Sequence, residues 1–453
     1  MRYHELGLPL RALRVPGSLA VVESRRGGAP ADGSPRNGRA AVTIKQRPED
    51  FLVEEILAPA AAARLSETTG PVVLYRLTKR GLGTIDALEL IAPRLRVPLE
   101  RIRYAGLKDR HALTVQHVSI LFPRVGAPRA PDIVEMPGWK IERIGRLASH
   151  LSAGDVSGNR FRVTVRGLSR RQCERMTEAR RFLATPLTAA GRTLRFVNYF
   201  GVQRFGSARH GRGFAARRLI EGDFEEALRL LVAAPDRKDS RERKGVKRAI
   251  AAAWGDWAKL AGELPPCPER AVARRLAETG GDFRSGFAAL PPFIRRMTVE
   301  AYQSWLWNAV ARRLVAGRCA PPLIEIPSRF GDLVFPGAAA VPAGLAGTLI
   351  PLFSPGTALE DPWRSSAEAV LAGEGIALGD LRIPGLRSPY FGEVSRPLFV
   401  DAREFVLGPV EADESSAGVK RFKRLLRFFL PRGSYGTVLL DALGSLGAQS
   451  NFR

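Results

Sequence analysis

Three short stretches of this chain combine residue types that could do chemistry. In YAGLKDRHALTVQ, Tyr104 to Gln116, a single carboxylate, Asp109, stands between Lys108 and Arg110. Flanking cations favour the ionised carboxylate, the form a nucleophile or base needs at neutral pH. The same residues also describe a solvated turn between two strands, with Gly106 permitting the turn. The second stretch, FVNYFGVQRFG from Phe196 to Gly206, holds four aromatics together with Asn198, Gln203 and Arg204. Aromatic faces stack on unpaired bases and amides read base edges, so the set suits one nucleotide drawn out of its stack. An apolar strand entering a polar loop has the same composition. The third stretch, LPRGSYGT from Leu430 to Thr437, reads as a glycine-permitted turn projecting Tyr435.

The elements that must position these residues follow from periodicity. Around Ile44 and over Phe51–Ile56 two short strands are expected, with a turn at Arg47–Asp50. Residues 72–81 alternate as a strand, and Thr84 precedes an amphipathic helix that it would cap, ending before Pro98. Residues 101–122 give strand, polar turn and strand; 159–168 a strand; 170–184 a helix. From 222 to 318 the pattern is mainly helical. From 320 to 395 Gly, Pro and short apolar runs predict short strands and long loops. The strand pattern returns at 403–414 and 423–443. The whole is an α+β chain, and residues 24–40, rich in Gly, Pro, Ser and Arg, read as a flexible basic linker.

With 453 residues the chain is long enough for two or three domains. Its 70 Lys and Arg against 45 acidic residues give a net charge of +25, mostly from Arg. That excess points to a nucleic-acid partner ahead of an anionic membrane surface. The apolar runs are too short for a membrane span, and the charged first residues do not fit a signal peptide. Three scattered cysteines fit a reducing cytoplasmic setting and supply neither a disulfide framework nor a zinc pair.

In order along the chain, KQRPEDFLVEE, AGLKDRHALTVQ, NYFGVQRFG, AYQSWLWN and LPRGSYGT together resemble the TruD family of tRNA pseudouridine synthases. The likeness spans about residues 41 to 445, and QSWLWN and GSYGT are closer to the archaeal and eukaryotic branch. It implies a pseudouridine synthase fold, a mixed and mostly antiparallel sheet flanked by helices, interrupted by a family-specific domain. The implied division is an N-terminal extension at 1–40, a catalytic domain at 41–223 and 399–453, and the insertion at 224–398. The implied reaction isomerises a uridine in RNA, with uridine 13 of tRNA as the usual target, no cofactor and no metal. Matching position by position, Asp109 is the catalytic aspartate and Lys45 the basic residue paired with it. Phe51, Asn198 and Tyr435 match substrate-binding positions, and Phe200 the aromatic that stacks on the target uracil. The family's chemistry has two proposed routes, attack on the sugar and removal of a ribose proton through a glycal.

Further RNA contacts are expected from Lys108, Arg110, Gln203, Arg204, Arg237, Arg241, Lys244 and Lys247, although the run 237–248 reads equally as a solvated helix face laced by ion pairs. The stripe Tyr302, Trp305, Leu306, Ala309 and Val310 reads as core. Two other function classes compete: an RNA-binding or RNA-folding protein with secondary activity, and another base-directed enzyme such as a methyltransferase. The second needs a Gly-rich cofactor turn, which is not found.

Overall fold

A computed structural model of the chain describes residues 42–122, 130–186, 193–236, 238–415 and 420–444. The linker expected at 24–40 and the candidate contact Arg237 lie outside the described residues.

The strands are β1 Phe51–Leu57, β2 Val72–Arg80, β3 Ile102–Tyr104, β4 Leu113–Leu121, β5 Ile133–Met136, β6 Trp139–Leu147, β7 Val156–Leu168 and β8 Leu194–Val197. They continue with β9 Leu323–Ile326, β10 Leu333–Pro336, β11 Leu349–Pro351, β12 Ser395–Pro397, β13 Phe399–Leu407, β14 Glu411–Ala412 and β15 Phe422–Pro431. Nine of them run in the order β5-β6-β2-β4-β1-β7-β15-β13-β8, with β3 added on β4 and β14 on β15. Only the β1–β4 pair in this sheet is parallel among the described residues. The predicted strands around 51–56, 72–81, 101–122 and 159–168 are all present.

The two larger of three apolar clusters among the described residues flank the sheet. One packs the helix Thr84–Leu95 through Leu88, Ile91 and Leu95 onto Tyr75, Leu77 and Ile141. The larger runs from Val163 and Phe428 through Leu306 and Trp307 to Leu381, so the helical middle shares its interior with one end of the sheet. Its axis is the long helix Pro292–Arg318, where Tyr302, Leu306 and Val310 are buried as the stripe predicts. Between β8 and β13 the chain adds no described strand to the large sheet, yet these two strands pair directly, Phe399 against Val197.

Three local expectations need correction. Residues 436–442, expected to continue a strand, form a helix. Val438, Leu439, Leu440 and Ala442 are all buried, and a short run that is apolar all round carries no period to separate helix from strand. A helix at Arg364–Glu374, closed by Gly375 in the left-handed conformation at φ 65°, occupies a region expected to be loops. Gly106 has no positive φ, and a Cβ there would meet nothing within 4 Å, so the turn does not require glycine.

Candidate active site

Lys45 is set by its neighbours on both sides. Thr43 exchanges two backbone hydrogen bonds with Arg166, at 3.2 and 2.9 Å. The Asp50 carboxylate accepts the Arg47 N–H at 3.0 Å and the Arg166 Nε–H at 2.9 Å. Arg166 also pairs with Asp413 at 3.1 Å, which ties the strand leading from the site to the C-terminal part of the chain. From this fixed segment the Lys45 ammonium reaches Asp109 Oδ2 at 2.8 Å and lies 4.3 Å from the centre of the Phe51 ring. Asp109 keeps 36% of its side chain exposed, so the paired carboxylate remains open to a ligand.

The loop that carries Asp109 hangs between β3 and β4 and is held from below by side chains whose role the linear pattern does not show. Lys79, fully buried at the end of β2, donates to the carbonyls of Leu82 at 2.7 Å and Asp109 at 3.0 Å, with Lys108 at 3.4 Å. Burial pulls its ammonium pKa down to about 8, against the opposing pull of Asp109 and Asp86. Thr84 does not cap its helix; Gly83 stands at the cap position, and Asp86 accepts the Gly83 N–H at 3.1 Å. The freed Thr84 hydroxyl accepts the Lys108 N–H at 2.9 Å and donates to Gln116 at 2.9 Å. Glu55, 1% exposed on the inner face of β1, pairs with Lys108 at 2.7 Å and accepts the His117 N–H at 3.0 Å. Burial pushes the Glu55 carboxyl up, but His117 and Lys108 outweigh it and leave the pKa below the ordinary value. Lys79 and Glu55 had a legible signal: each is a charge at an inward position of an alternating strand, after Tyr75 and Leu77 and after Phe51 and Val53.

The second wall is built from four chain segments. Asn198 is buried, donating from its amide to the Pro397 carbonyl at 3.2 Å and accepting from Arg396 at 2.8 Å. Phe200 is fixed by Asn308 of the long helix, which accepts its N–H at 2.8 Å and donates to its carbonyl at 3.0 Å. Its ring meets Trp307 edge-on at 5.6 Å and Tyr435 at 6.1 Å. Gly433, at φ 79°, supplies the turn that the third motif predicts. Gly201 is required by close approach instead: a Cβ there would sit 2.9 Å from the Tyr435 ring.

The two walls meet. Phe51 contacts Phe161 edge to face at 6.1 Å, and Phe161 lies against Gly436, next to Tyr435. Lys45, Phe51, Asp109, Asn198, Phe200 and Tyr435 are thus brought into one connected set.

The expected RNA contacts divide. Arg110 and Gln203 are exposed, Arg110 pairing with Asp86 at 2.9 Å, and Arg241 is exposed on the helix Arg241–Ala252 with Lys244 half-buried beside it. Arg204 is tied to Glu300 at 3.0 Å and Ser304 at 3.1 Å. Lys108 and Lys247 are corrected. Lys108 turns inward onto Glu55, and Lys247 is buried against Asp239 at 2.8 Å and the Ala234 carbonyl at 3.0 Å. Each is spent on a buried partner that a linear charge pattern does not show.

The family assignment follows from residues 36–323, which match the family model of tRNA pseudouridine synthase D (TruD). The chain belongs to the TruD family. A TruD protein of Methanocaldococcus jannaschii is 29% identical over 88% of this chain and 91% of its own length. One from Methanopyrus kandleri is 31% identical over 84% of the chain and 88% of itself. The tRNA pseudouridine synthase D of Aquifex aeolicus is 34% identical over 59% of the chain and 65% of itself. A Methanosarcina mazei crystal structure assigned to TruD superposes with a TM-score of 0.64, covering 90% of this chain and 95% of its own at 24% identity. The α+β fold is therefore that of TruD, including the mixed sheet that the resemblance implies.

Proposed function

We propose that this TruD protein converts uridine 13 of tRNA to pseudouridine with Asp109 as the reacting carboxylate. Membership of the TruD family makes it an isomerase that acts on uridine in tRNA. The observation that carries the residue assignment is the partly exposed Asp109 carboxylate, clamped by Lys45 at 2.8 Å and linked through Phe51, Phe161 and Gly436 to the Phe200–Tyr435 wall. A uridine inside a helix does not reach such a carboxylate, so the target leaves its stack, and an aromatic surface recovers part of the few kcal/mol this costs. In this reading Phe200 takes the ring face, Asn198 its polar edge and Tyr435 the remaining side. Asp109 either attacks the sugar or takes a ribose proton; the exposed carboxylate suits both.

The test compares Asp109→Ala and Asp109→Asn with the parent protein on unmodified tRNA, mapping pseudouridine by position. The expected outcome is loss of product at position 13 with tRNA affinity within about tenfold, because phosphate contacts dominate binding. Residual turnover above about 1% in either variant would remove Asp109 from the chemistry.

A further inference from the structure

Arg396, on β12, is 9% exposed, and among the described residues no carboxylate pairs with it. Its partners are oxygens of the base-binding wall. Nε donates to the Asn198 carbonyl at 2.8 Å, Nη2 to Asn198 Oδ1 at 2.8 Å and to the Tyr199 carbonyl at 3.4 Å, and Nη1 to the Gly433 carbonyl at 2.8 Å. The guanidinium carbon lies 4.1 Å from the centre of the Phe200 ring, 5.4 Å from Trp307 and 5.9 Å from Tyr435. One cation therefore touches the other three segments that build this wall. Burying a charge without an opposite charge is costly, and such groups concentrate where function requires them. Burial lowers the guanidinium pKa to about 10, so Arg396 remains a cation at neutral pH.

The arrangement also orients Asn198. A guanidinium has donors only, so the amide oxygen must face Arg396, and the amide nitrogen faces the other way. Its Nδ2 donates to the Pro397 carbonyl at 3.2 Å.

The chemistry supplies a use for the charge. When the N1–C1′ bond breaks, its electron pair stays on the uracil, spread over N1, O2 and O4. The ring turns, C5 returns a pair to C1′, the C5 hydrogen leaves as a proton, and N1 takes one up. Atoms and charge balance over the cycle, and the detached ring is anionic. We propose that Arg396 supplies the positive field that stabilises this uracil anion while it is detached from the ribose. The proposal rests on the reading that Asn198 and Phe200 receive the target base.

The experiment measures single-turnover rates at saturating tRNA for the parent, Arg396→Gln and Arg396→Lys, each checked by thermal unfolding. The target position carries either uridine or 5-fluorouridine, whose more acidic uracil leaves more readily, and loss of the original N1–C1′ bond is the readout. Arg396→Gln is expected to slow bond loss in the uridine substrate by about 10²–10³-fold, as for removal of one oxyanion donor, and by at least about tenfold less in the fluorinated one. Arg396→Lys keeps the charge but loses the fork of hydrogen bonds, so it slows both substrates to a similar extent. A merely structural role slows both substrates equally. Equal slowing of both substrates by Arg396→Gln, an Arg396→Gln variant as fast as the parent, or an Arg396→Lys variant slowed at least about tenfold more with uridine than with 5-fluorouridine overturns the proposal, and the last applies even if the Gln variant does not fold. A parent protein that forms no pseudouridine overturns the underlying reading as well.

Discussion

At Lys79 a buried cation and an open carboxylate are separated by one peptide carbonyl. The ammonium holds the main chain at Lys108 and Asp109, not the Asp109 side chain, so losing its proton is expected to loosen the loop that carries the carboxylate. A protonated amine donates more strongly than a neutral one. With its pKa near 8, Lys79 is charged at pH 7 and loses its proton as pH rises to 9. Single-turnover activity is therefore expected to fall through a basic limb near pH 8. Lys79→Arg, which stays charged, should move that limb above pH 9 or remove it. The stability linkage has the opposite sign. The folded pKa of about 8 lies below the ordinary 10.5, so between these values the unfolded chain binds more protons and this group's contribution to stability rises with pH. Activity loss with an unchanged or higher unfolding midpoint identifies the loop; activity and stability falling together would refute this account.

The elements beside the site are locked by buried charges, of which Lys108 is one that sequence alone assigns to RNA. β1 presents Glu55 to the interior, and the Asp109 loop answers with Lys108. Removing one partner of a buried pair leaves the other unsolvated. Lys108→Ala is accordingly expected to cost about 2–3 kcal/mol of stability, with His117 retaining part of the compensation, while tRNA affinity changes less than about threefold. Denaturant titration and a binding isotherm separate the two. Glu55 has a lowered folded pKa, so its contribution is present above the ordinary 4.5 and is lost as pH falls; the gap between parent and variant should narrow under acid. A variant of full stability and weakened tRNA binding would restore Lys108 as an RNA contact. The same logic applies on the other side of β1, where Arg166 joins Asp50 and Asp413 and so fixes the segment carrying Lys45.

Across the whole molecule, the proposed division of labour gives chemistry to the segments 41–223 and 399–453 and tRNA affinity to the insertion proposed at 224–398. The candidate catalytic and base-binding side chains other than Arg396 fall in the first two segments, and β8 pairs with β13 across the intervening chain. The insertion is not a loosely attached unit: Asn308 and Trp307 of its long helix hold Phe200, so its helices also shape the base wall. Exposed Arg241 and Arg248, with half-buried Lys244, lie on one helix there. Neutralising these three should flatten the fall of log K with log salt by roughly 0.7–0.9 for each phosphate no longer engaged, leaving single-turnover isomerisation at saturating tRNA near the parent rate. Lys247→Met should instead destabilise the fold, since Lys247 is the buried partner of Asp239. An unchanged salt slope in the triple variant would place the tRNA elsewhere.

What the sequence determined by itself is local and ordered along the chain. Strand alternation, the helical middle, the basic charge and the motifs around Asp109, Asn198 and Tyr435 were legible because each depends on residues close in sequence. Lys45 and Asp109 were legible as a pair only through the resemblance to TruD, since no period links them. The sequence did not reveal which charges the interior would claim. Lys108 and Lys247 look like Arg110 and Arg241 in a linear pattern, and only the folded chain sets Glu55 and Asp239 against them. Thr84 likewise carries a capping signal, but its hydroxyl is used by a loop that arrives from a later strand. Arg396 had no signal at all: its partners Asn198, Tyr199 and Gly433 come from distant segments, and burial in their midst gives an ordinary surface residue type an unneutralised charge. Desolvation depends on every neighbour at once, which is why tertiary structure decided it.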